Sequence, residues 1–529
     1  MRFPCRSAVP PFLFLLLLSL AVPGAPAGAD AGPPTDPSTA IVKIYVASVM
    51  PDAFAPWRPG FSTDKTGSGA VIAGRRILTN AHVIEGHTFV QVRLHGRPDK
   101  HPAQVTFLSH VSDLALVELE EPDLLAGIEP LPLGELPAPR DGVAAFGFPA
   151  GGDTLSITKG VVTRVEHVMY LQSWERLLAI QMDAAIAAGS SGGPLVHDGA
   201  LVGVAVQTSG TNDTIGCAVA TPVVRQFLED VADGRFDGIP SLRAGTQSLG
   251  NPALRASLQV PAGETGVLVR TVAPVSPAAG ILLPGDVLTT VDGLDVADDS
   301  TVELRGRERT DLAYGIDRHQ VGETVTLRFL RDGVAHEAEV VLSPALGEEE
   351  LVARLHEQPG DYYIYGGLVF LAITRDYVLR AHQINAFNWG LSPYIVQHLE
   401  HPGEQVILLQ NVLTAAVNQG YGKAAGEVIR SVDGHPVRSL RELVALVEGG
   451  DSPYVTFEYR HGGRVTLECQ RAAAGGPWPP PFYGARATWR SARRRFPAGA
   501  GSLRMLRHDH PDHRQPGRPH ASIGAVHSP

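Results

Sequence analysis

Gly189-Ser190-Ser191-Gly192-Gly193-Pro194 is a glycine-rich loop around a serine, and two segments upstream of it decide what that serine can do. Ile77-Leu78-Thr79-Asn80-Ala81-His82-Val83 runs a strand into a turn that carries a histidine. Ser112-Asp113-Leu114-Ala115-Leu116-Val117 puts an aspartate at the start of an apolar strand, where its side chain can be buried. A serine hydroxyl is a weak nucleophile and needs a neighbouring base, the role open to His82. The base needs a third group to fix its tautomer and stabilise the imidazolium, the role open to Asp113. Glycines let backbone N–H groups converge, so those of Gly189 and Ser191 can form an oxyanion hole, typically worth roughly 3–4 kcal/mol per donor in a transition state. Each segment alone fits an ordinary turn, strand start or loop. Together, in the order His, Asp, Ser inside one β-rich stretch, they point to acyl transfer.

Around these segments the chain gives short strands: Ile41–Ser48, Ser68–Ile72, Arg76–Thr79, Phe89–Leu94, Ala103–Ser109, Leu114–Leu119, Val143–Gly147 and Leu201–Gln207. Gly, Pro and Asp fill the loops, so the expected architecture is a sandwich or barrel, closed by a helix from Pro222 to Val231. The composition is globular, 44% hydrophobic and 19% charged, with 57 Gly and 42 Pro in 529 residues. That length predicts two to four domains. A net charge of −11 argues against non-specific nucleic-acid binding by the chain as a whole.

Downstream, Gly285-Asp286-Val287-Leu288-Thr289-Thr290-Val291-Asp292-Gly293 is echoed by Gly426-Glu427-Val428-Ile429-Arg430-Ser431-Val432-Asp433-Gly434. Each copy reads as a strand running into a tight Asp-Gly turn and is followed by a second strand pair, which predicts two homologous modules. At the N-terminus, Arg2 and Arg6 precede an apolar run from Pro11 to Val22 and small residues that offer cleavage sites, so residues 1–29 read as a signal peptide, with a retained anchor as the alternative. Residues 30–37 read as a linker. From residue 472 to 529 the chain turns rich in Arg, Pro, His and Gly, and reads as a disordered or aberrant, out-of-frame tail. Its histidines (His508, His510, His513, His520) read as solvated. Of the three cysteines, Cys5 leaves with the signal peptide, Cys217 reads as a small buried hydrophobe, and Cys469 lies in another domain.

The Thr-Asn-Ala-His, Ser-Asp-Leu-Ala-Leu and Gly-Ser-Ser-Gly-Gly-Pro blocks resemble the HtrA/DegP (Deg) family of serine proteases, a branch of the chymotrypsin fold. Pro56-Trp57, Gly151-Gly152-Asp153-Thr154, Asn251-Pro252-Ala253-Leu254-Arg255, Gly306-Arg307-Glu308-Arg309 and Tyr362-Tyr363-Ile364 resemble its plant-type branch. The resemblance implies a mainly β chain: a chymotrypsin-like double β-barrel protease domain (38–235) followed by two PDZ-like α/β domains (240–345 and 358–471). It implies an ATP-independent serine endopeptidase with catalytic His82, Asp113 and Ser191. Its partners would be unfolded or damaged extracytoplasmic polypeptides, without nucleic acid or stable membrane insertion. It also implies a homo-oligomer, a trimer or a multiple of it, exported to the periplasm or medium. No metal or organic cofactor is expected.

In this fold the residue six before the nucleophile lies at the base of the primary pocket, here Ala185, while for Asp183 the resemblance implies a structural role. With no carboxylate at the base, and with Ile186 and Ile215 narrowing the pocket, cleavage after small or medium aliphatic residues is expected. Asn212-Asp213-Thr214-Ile215 resembles the family's pocket loop. Two positions depart from the family. Ser190 stands where Asn is usual. In the first PDZ-like domain the carboxylate-binding loop aligns with Ser241-Leu242-Arg243-Ala244, and Arg243, in place of glycine, either blocks the loop or supplies a positive partner for a peptide carboxylate. The alternative function is a chaperone-like or PDZ-sensor protein that binds unfolded chains or cleaves one dedicated partner.

Overall fold

The computed structural model describes residues 36–474 apart from 59, 171, 172, 174, 207–214, 345–350, 385–390, 396, 398, 400 and 402. The expected signal peptide, the linker up to residue 35 and the tail beyond Ala474 lie outside the described residues. Two closed six-stranded barrels come first. Strands β1 (Ile41–Met50), β2 (Phe61–Ile72), β3 (Arg76–Thr79), β4 (His87–Leu94), β5 (His101–Ser109) and β6 (Leu114–Leu119) close in the order β1-β2-β3-β6-β5-β4. Strands β7 (Gly142–Gly147), β8 (Ser156–Met169), β9 (Arg176–Met182), β10 (Pro194–His197), β11 (Ala200–Val206) and β12 (Gly216–Ala220) close in the order β10-β11-β12-β9-β8-β7. Closure removes the unpaired edges that short strands would otherwise present. The inward Ile, Val and Leu side chains of both barrels share one core cluster.

A single helical turn, α1 (Ala81–Ile84), follows β3. Helix α2 (Thr221–Asp230) follows β12, with Pro222 in its first turn, where a missing N–H costs nothing. Its Val223, Val224 and Phe227 recur at helical spacing and are buried against the second barrel. This is the closing helix that the sequence predicts.

Beyond the barrels lie two further sheets. In the first, Ala244–Ser248, Val267–Val272, Val287–Val291, Thr324–Arg331 and Val334–Val341 are hydrogen-bonded in that order. In the second, the order is Tyr362–Tyr365, Leu368–Ala372, Ile407–Val412, Glu427–Val432, Tyr454–Tyr459 and Arg464–Glu468. The repeated motif occupies the same place in both. Val287–Val291 turns through Asp292 (φ 46°) and Gly293 (φ 78°), and Glu427–Val432 turns through Asp433 (φ 50°) and Gly434 (φ 78°). Paired positive φ angles at Asp-Gly are what a two-residue hairpin turn requires. Each module has its own core: Val267, Leu288 and Leu327 in the first, Phe370, Phe457 and Leu467 in the second. Leu351 and Val352 are buried with Ile373, Val378 and Tyr394, so chain ahead of residue 358 also packs into the second module.

Each module docks on a different barrel. The first sets its hairpin (Thr301–Arg305 and Glu308–Asp311) against β8, where His167 is fully buried between Thr310 (Nδ1 to Oγ1, 2.6 Å) and Asp317 (Nε2 to carboxylate, 3.0 Å). The second meets the loop after β1 through Phe54 edge-on to Tyr377 (4.9 Å between centroids) and Trp57 against Tyr362 (5.4 Å). Among the described residues no helix is long and apolar enough to cross a membrane.

Cys217 is buried in β12, and burial pushes its thiol up to about 12. It and Cys469 are free thiols. Since the thiolate is the reactive form, iodoacetamide labelling of the native protein, read by peptide mass, should leave Cys217 unmodified until the fold is lost in denaturant. Modification of native Cys217 at the rate of an exposed thiol would contradict this packing.

Candidate active site

His82 sits on the one turn of α1 and Asp113 at the entry to β6, and the structure brings them together. The carboxylate of Asp113 is 2.7 Å (Oδ2) and 3.0 Å (Oδ1) from His82 Nδ1, and it also accepts the His82 backbone N–H at 2.9 Å. A carboxylate can only accept, so the ring proton lies on Nδ1 and Nε2 keeps its lone pair. Asp113 is buried, whereas the His82 side chain is 25% exposed. Asp113 holds a left-handed backbone conformation (φ 53°), which costs on the order of 1–3 kcal/mol for a non-glycine residue. Asn80 helps to hold it there by donating Nδ2 to the Asp113 carbonyl at 2.8 Å.

Ser191 lies in the loop ahead of β10, on the second barrel. No hydrogen bond joins its hydroxyl to His82. Such bonds are often long without substrate and tighten on binding. The loop is nonetheless fixed to the first barrel. Ser191 O accepts the Ser68 N–H at 2.9 Å, and Gly192 lies so close to β3 that a Cβ there would meet Thr79 Oγ1 at 2.2 Å. At Gly193 a Cβ would fall 1.9 Å from Phe146 O. These two glycines are therefore required for close approach to neighbouring backbone and side chain, beyond the convergence of N–H groups expected from sequence.

Backbone bonding in this loop separates donors that are used from donors that are free. Ser190 N donates to Ala187 O (3.0 Å), Gly192 N to Ala205 O (2.9 Å) and Gly193 N to Ser190 O (3.0 Å). Among the described residues, the N–H groups of Gly189 and Ser191 have no internal acceptor. These are the two donors expected to stabilise an oxyanion. Gly189 (φ 89°) faces Phe148 and Ala150 so closely that a Cβ would lie 2.4 Å from Ala150 N. Ser190, in place of the usual Asn, is buried and leaves the main chain intact.

Sequence reasoning missed Ser68, in β2. Its hydroxyl accepts the Phe148 N–H (2.8 Å) and donates to Gly189 O (2.9 Å), its N–H binds Ser191 O, and its carbonyl accepts Thr79 Oγ1 (2.7 Å). One residue thus ties the serine loop to the strand that leads to His82. Its flanking glycines, Gly67 and Gly69, were the available signal.

Of the expected pocket residues, Ala185 is exposed, and Ile186 and Ile215 are half-buried. Ile186 lies over Gly216, where a Cβ would sit 3.0 Å from its Cγ1. Asp183 accepts the Val161 N–H at 2.8 Å. The rest of the expected pocket loop, Asn212 to Thr214, lies outside the described residues. In the first module, Leu242 is buried, Arg243 is left-handed (φ 46°), and Ala244 opens the first strand.

Comparison with known proteins gives a consistent picture. Residues 67–204 match the trypsin-like peptidase domain family, and residues 252–342 and 352–477 each match a PDZ domain. Protease Do-like 4, mitochondrial, of Arabidopsis thaliana is 35% identical over 410 residues, covering 77% of this chain and 76% of that protein. Protease Do-like 2, chloroplastic, of the same plant is 36% identical over 435 residues, covering 81% and 71%. Among solved structures, the HtrA-type protease AlgW with a decapeptide is 25% identical, with a TM-score of 0.45, and the match covers 58% of this chain and 95% of that one.

Removing the Ser68 hydroxyl should leave the Phe148 N–H and the Gly189 carbonyl without their shared partner. Ser68→Ala is expected to destabilise the protein by about 1–3 kcal/mol, read as a lower thermal midpoint. An unchanged midpoint would mean that this hydroxyl is not what holds the two barrels in register.

Proposed function

We propose that this chain, which belongs to the Do-like (HtrA/Deg) family of serine endopeptidases, degrades unfolded or damaged polypeptides without ATP, through His82, Asp113 and Ser191. The observation that carries the reading is the pairing of a buried Asp113 with His82 Nδ1, beside a serine loop whose Gly189 and Ser191 N–H groups lack internal acceptors among the described residues.

The roles follow from the chemistry. His82 Nε2 takes the Ser191 hydroxyl proton as Oγ attacks the scissile carbonyl. The Gly189 and Ser191 N–H groups receive the negative charge that develops on the carbonyl oxygen. The imidazolium, held by Asp113, then gives its proton to the leaving amine, and water repeats the sequence on the acyl-enzyme. Ala185 at the pocket base offers no carboxylate to a basic side chain, and Ile186 and Ile215 favour aliphatic ones. Cleavage after Val, Ala or Leu is the expected preference. A homo-oligomer, a trimer or a multiple of it, is proposed from the family alone.

The compartment is proposed as one outside the cytosol. The basic and apolar start of the chain fits export, whereas the relatives' names place them in mitochondria and chloroplasts. That difference weighs against the periplasm expected from sequence and in favour of an organelle. Import into isolated organelles, followed by protease protection, distinguishes the two.

Digestion of unfolded β-casein beside a Ser191→Ala variant tests the mechanism. The variant is expected to lose activity by roughly 10⁴-fold or more, and fragment ends should carry aliphatic residues at the cut. Ends dominated by Arg or Lys would refute the pocket assignment. Casein left intact by the folded wild-type protein would favour the chaperone-like or PDZ-sensor alternative. Asp113→Asn, which leaves the ring able to adopt the wrong tautomer, should reduce turnover by about 10⁴-fold, measured on the same substrate.

A further inference from the structure

Three side chains far apart in sequence meet where the second module docks on the first barrel. Glu85 follows α1 directly, His110 lies between β5 and β6, and His356 belongs to the segment leading into the second module. One ligand atom from each lies within 4.8 Å of the others. Among the described residues, no other three His, Cys, Asp or Glu side chains converge in this way. We propose that Glu85, His110 and His356 bind a divalent transition-metal cation, Zn²⁺ by its preference for two imidazoles and a carboxylate, that clamps the second PDZ domain to the first barrel.

The spacing fits. Glu85 Oε1 is 3.4 Å from His356 Nδ1 and 4.0 Å from His110 Nδ1. Two ligands on a tetrahedral ion with bonds of about 2.0–2.1 Å stand about 3.3 Å apart; both Glu85–histidine separations lie within about 0.7 Å of that, and rotation of the two stacked rings out of parallel brings their nitrogens onto one ion. All three side chains are only partly exposed, and three protein ligands leave a fourth position to water.

The surroundings are arranged as the second layer of a metal site usually is. His110 Nε2 faces Glu357 at 3.3 Å, and Glu357 also accepts the Gly86 N–H at 3.3 Å. A histidine that donates one ring N–H to a carboxylate presents the other nitrogen as a lone pair, here toward Glu85. The His110 and His356 rings stack at 3.5 Å with planes 11° apart, an arrangement in which two imidazolium charges would repel. Burial, with the neighbouring His110 and Arg354, keeps His356 below its usual range despite its bond to Glu85. Burial alone would raise the carboxyl of Glu357, but the His110 hydrogen bond and charge and the Gly86 N–H outweigh it and hold it down at about 2.

Arg354 approaches Glu85 at 3.6 Å and Asp376 at 3.3 Å, Glu357 lies against His110 at 3.3 Å, and Lys65 donates to the Glu85 backbone carbonyl. One guanidinium does not neutralise three carboxylates. A dication held by Glu85 and both histidines would offset the remaining carboxylate charge.

The site rests on geometry outside the peptidase centre, and its test needs no catalysis. Full-length protein carrying Ser191→Ala, stripped with chelator, is titrated with Zn²⁺ against a chromophoric chelator, and its melting is followed in parallel. The expected result is one tight equivalent and a midpoint raised by several degrees. His356→Ala should lose both, and Glu357→Gln should weaken binding by about 10–100-fold. Because His356→Ala also loses a packing contact, its metal-free melt is compared with that of the parent. If the variant is unfolded, Co²⁺ substitution decides: the parent should give the intense visible bands of a tetrahedral ion, and Glu357→Gln weaker ones at equal Co²⁺. Equal binding by parent and His356→Ala would place the metal elsewhere, for instance on the tail histidines, and overturn the proposal. So would the absence of tight binding or of tetrahedral bands in the parent.

Discussion

The geometry of the site depends on Ser68, through which the first barrel holds the serine loop of the second. Its hydroxyl, N–H and carbonyl engage Phe148, Gly189, Ser191 and Thr79 together. A nucleophile on one barrel and a base on the other must be held to a few tenths of an ångström for proton transfer. Apolar packing is not directional and cannot do this alone. A buried polar group that loses its partner, by contrast, costs about 1–3 kcal/mol, so a four-way junction resists slippage in every direction that breaks a bond. Gly192 and Gly193 make that junction sterically possible, because any side chain there would push the loop off β3 or Phe146.

Much of this was legible in the sequence, for identifiable reasons. Ile77 to Thr79 and Leu114 to Leu119 are apolar runs bounded by turn residues, and the strands fall where that pattern puts them. The Asp-Gly turns after Val291 and Val432 were visible because only a few residue types tolerate paired positive φ. Strand β8 was not legible. Its first half, Ser156-Ile157-Thr158-Lys159-Gly160, carries a single large apolar residue, and it takes strand form because β7 and β9 pair with it. Helix Arg375–Gln383 was also missed, since its apolar face is short and its order comes from the Thr374 cap and from packing of Val378.

For the site itself, His82, Asp113 and Ser191 stood out because each sits in a local pattern with a chemical purpose. Ser68 did not, because its role arises from four partners distant in sequence. The Glu85, His110 and His356 cluster is harder still. Its members share no spacing, and the sequence reading expected no metal at all. Groups that become neighbours through docking of one module on another leave no periodicity to read.

The two docking surfaces differ in chemistry. The first module seats Leu304 and Tyr314 against the barrel core and buries His167 with Asp317, whose carboxyl burial pushes up despite the histidine bond. Taking such a pair out of water costs several kcal/mol, recovered only while its geometry holds. Separation would return that desolvation cost but would also expose the apolar contacts. The second module adds to its two aromatic contacts a cluster of carboxylates, histidines and Arg354. The attachments also reach different halves of the site: His167 lies on the barrel that carries Ser191, while Glu85 and His110 are each three residues from His82 and Asp113. The base and its carboxylate are therefore coupled to the second module, and the nucleophile to the first.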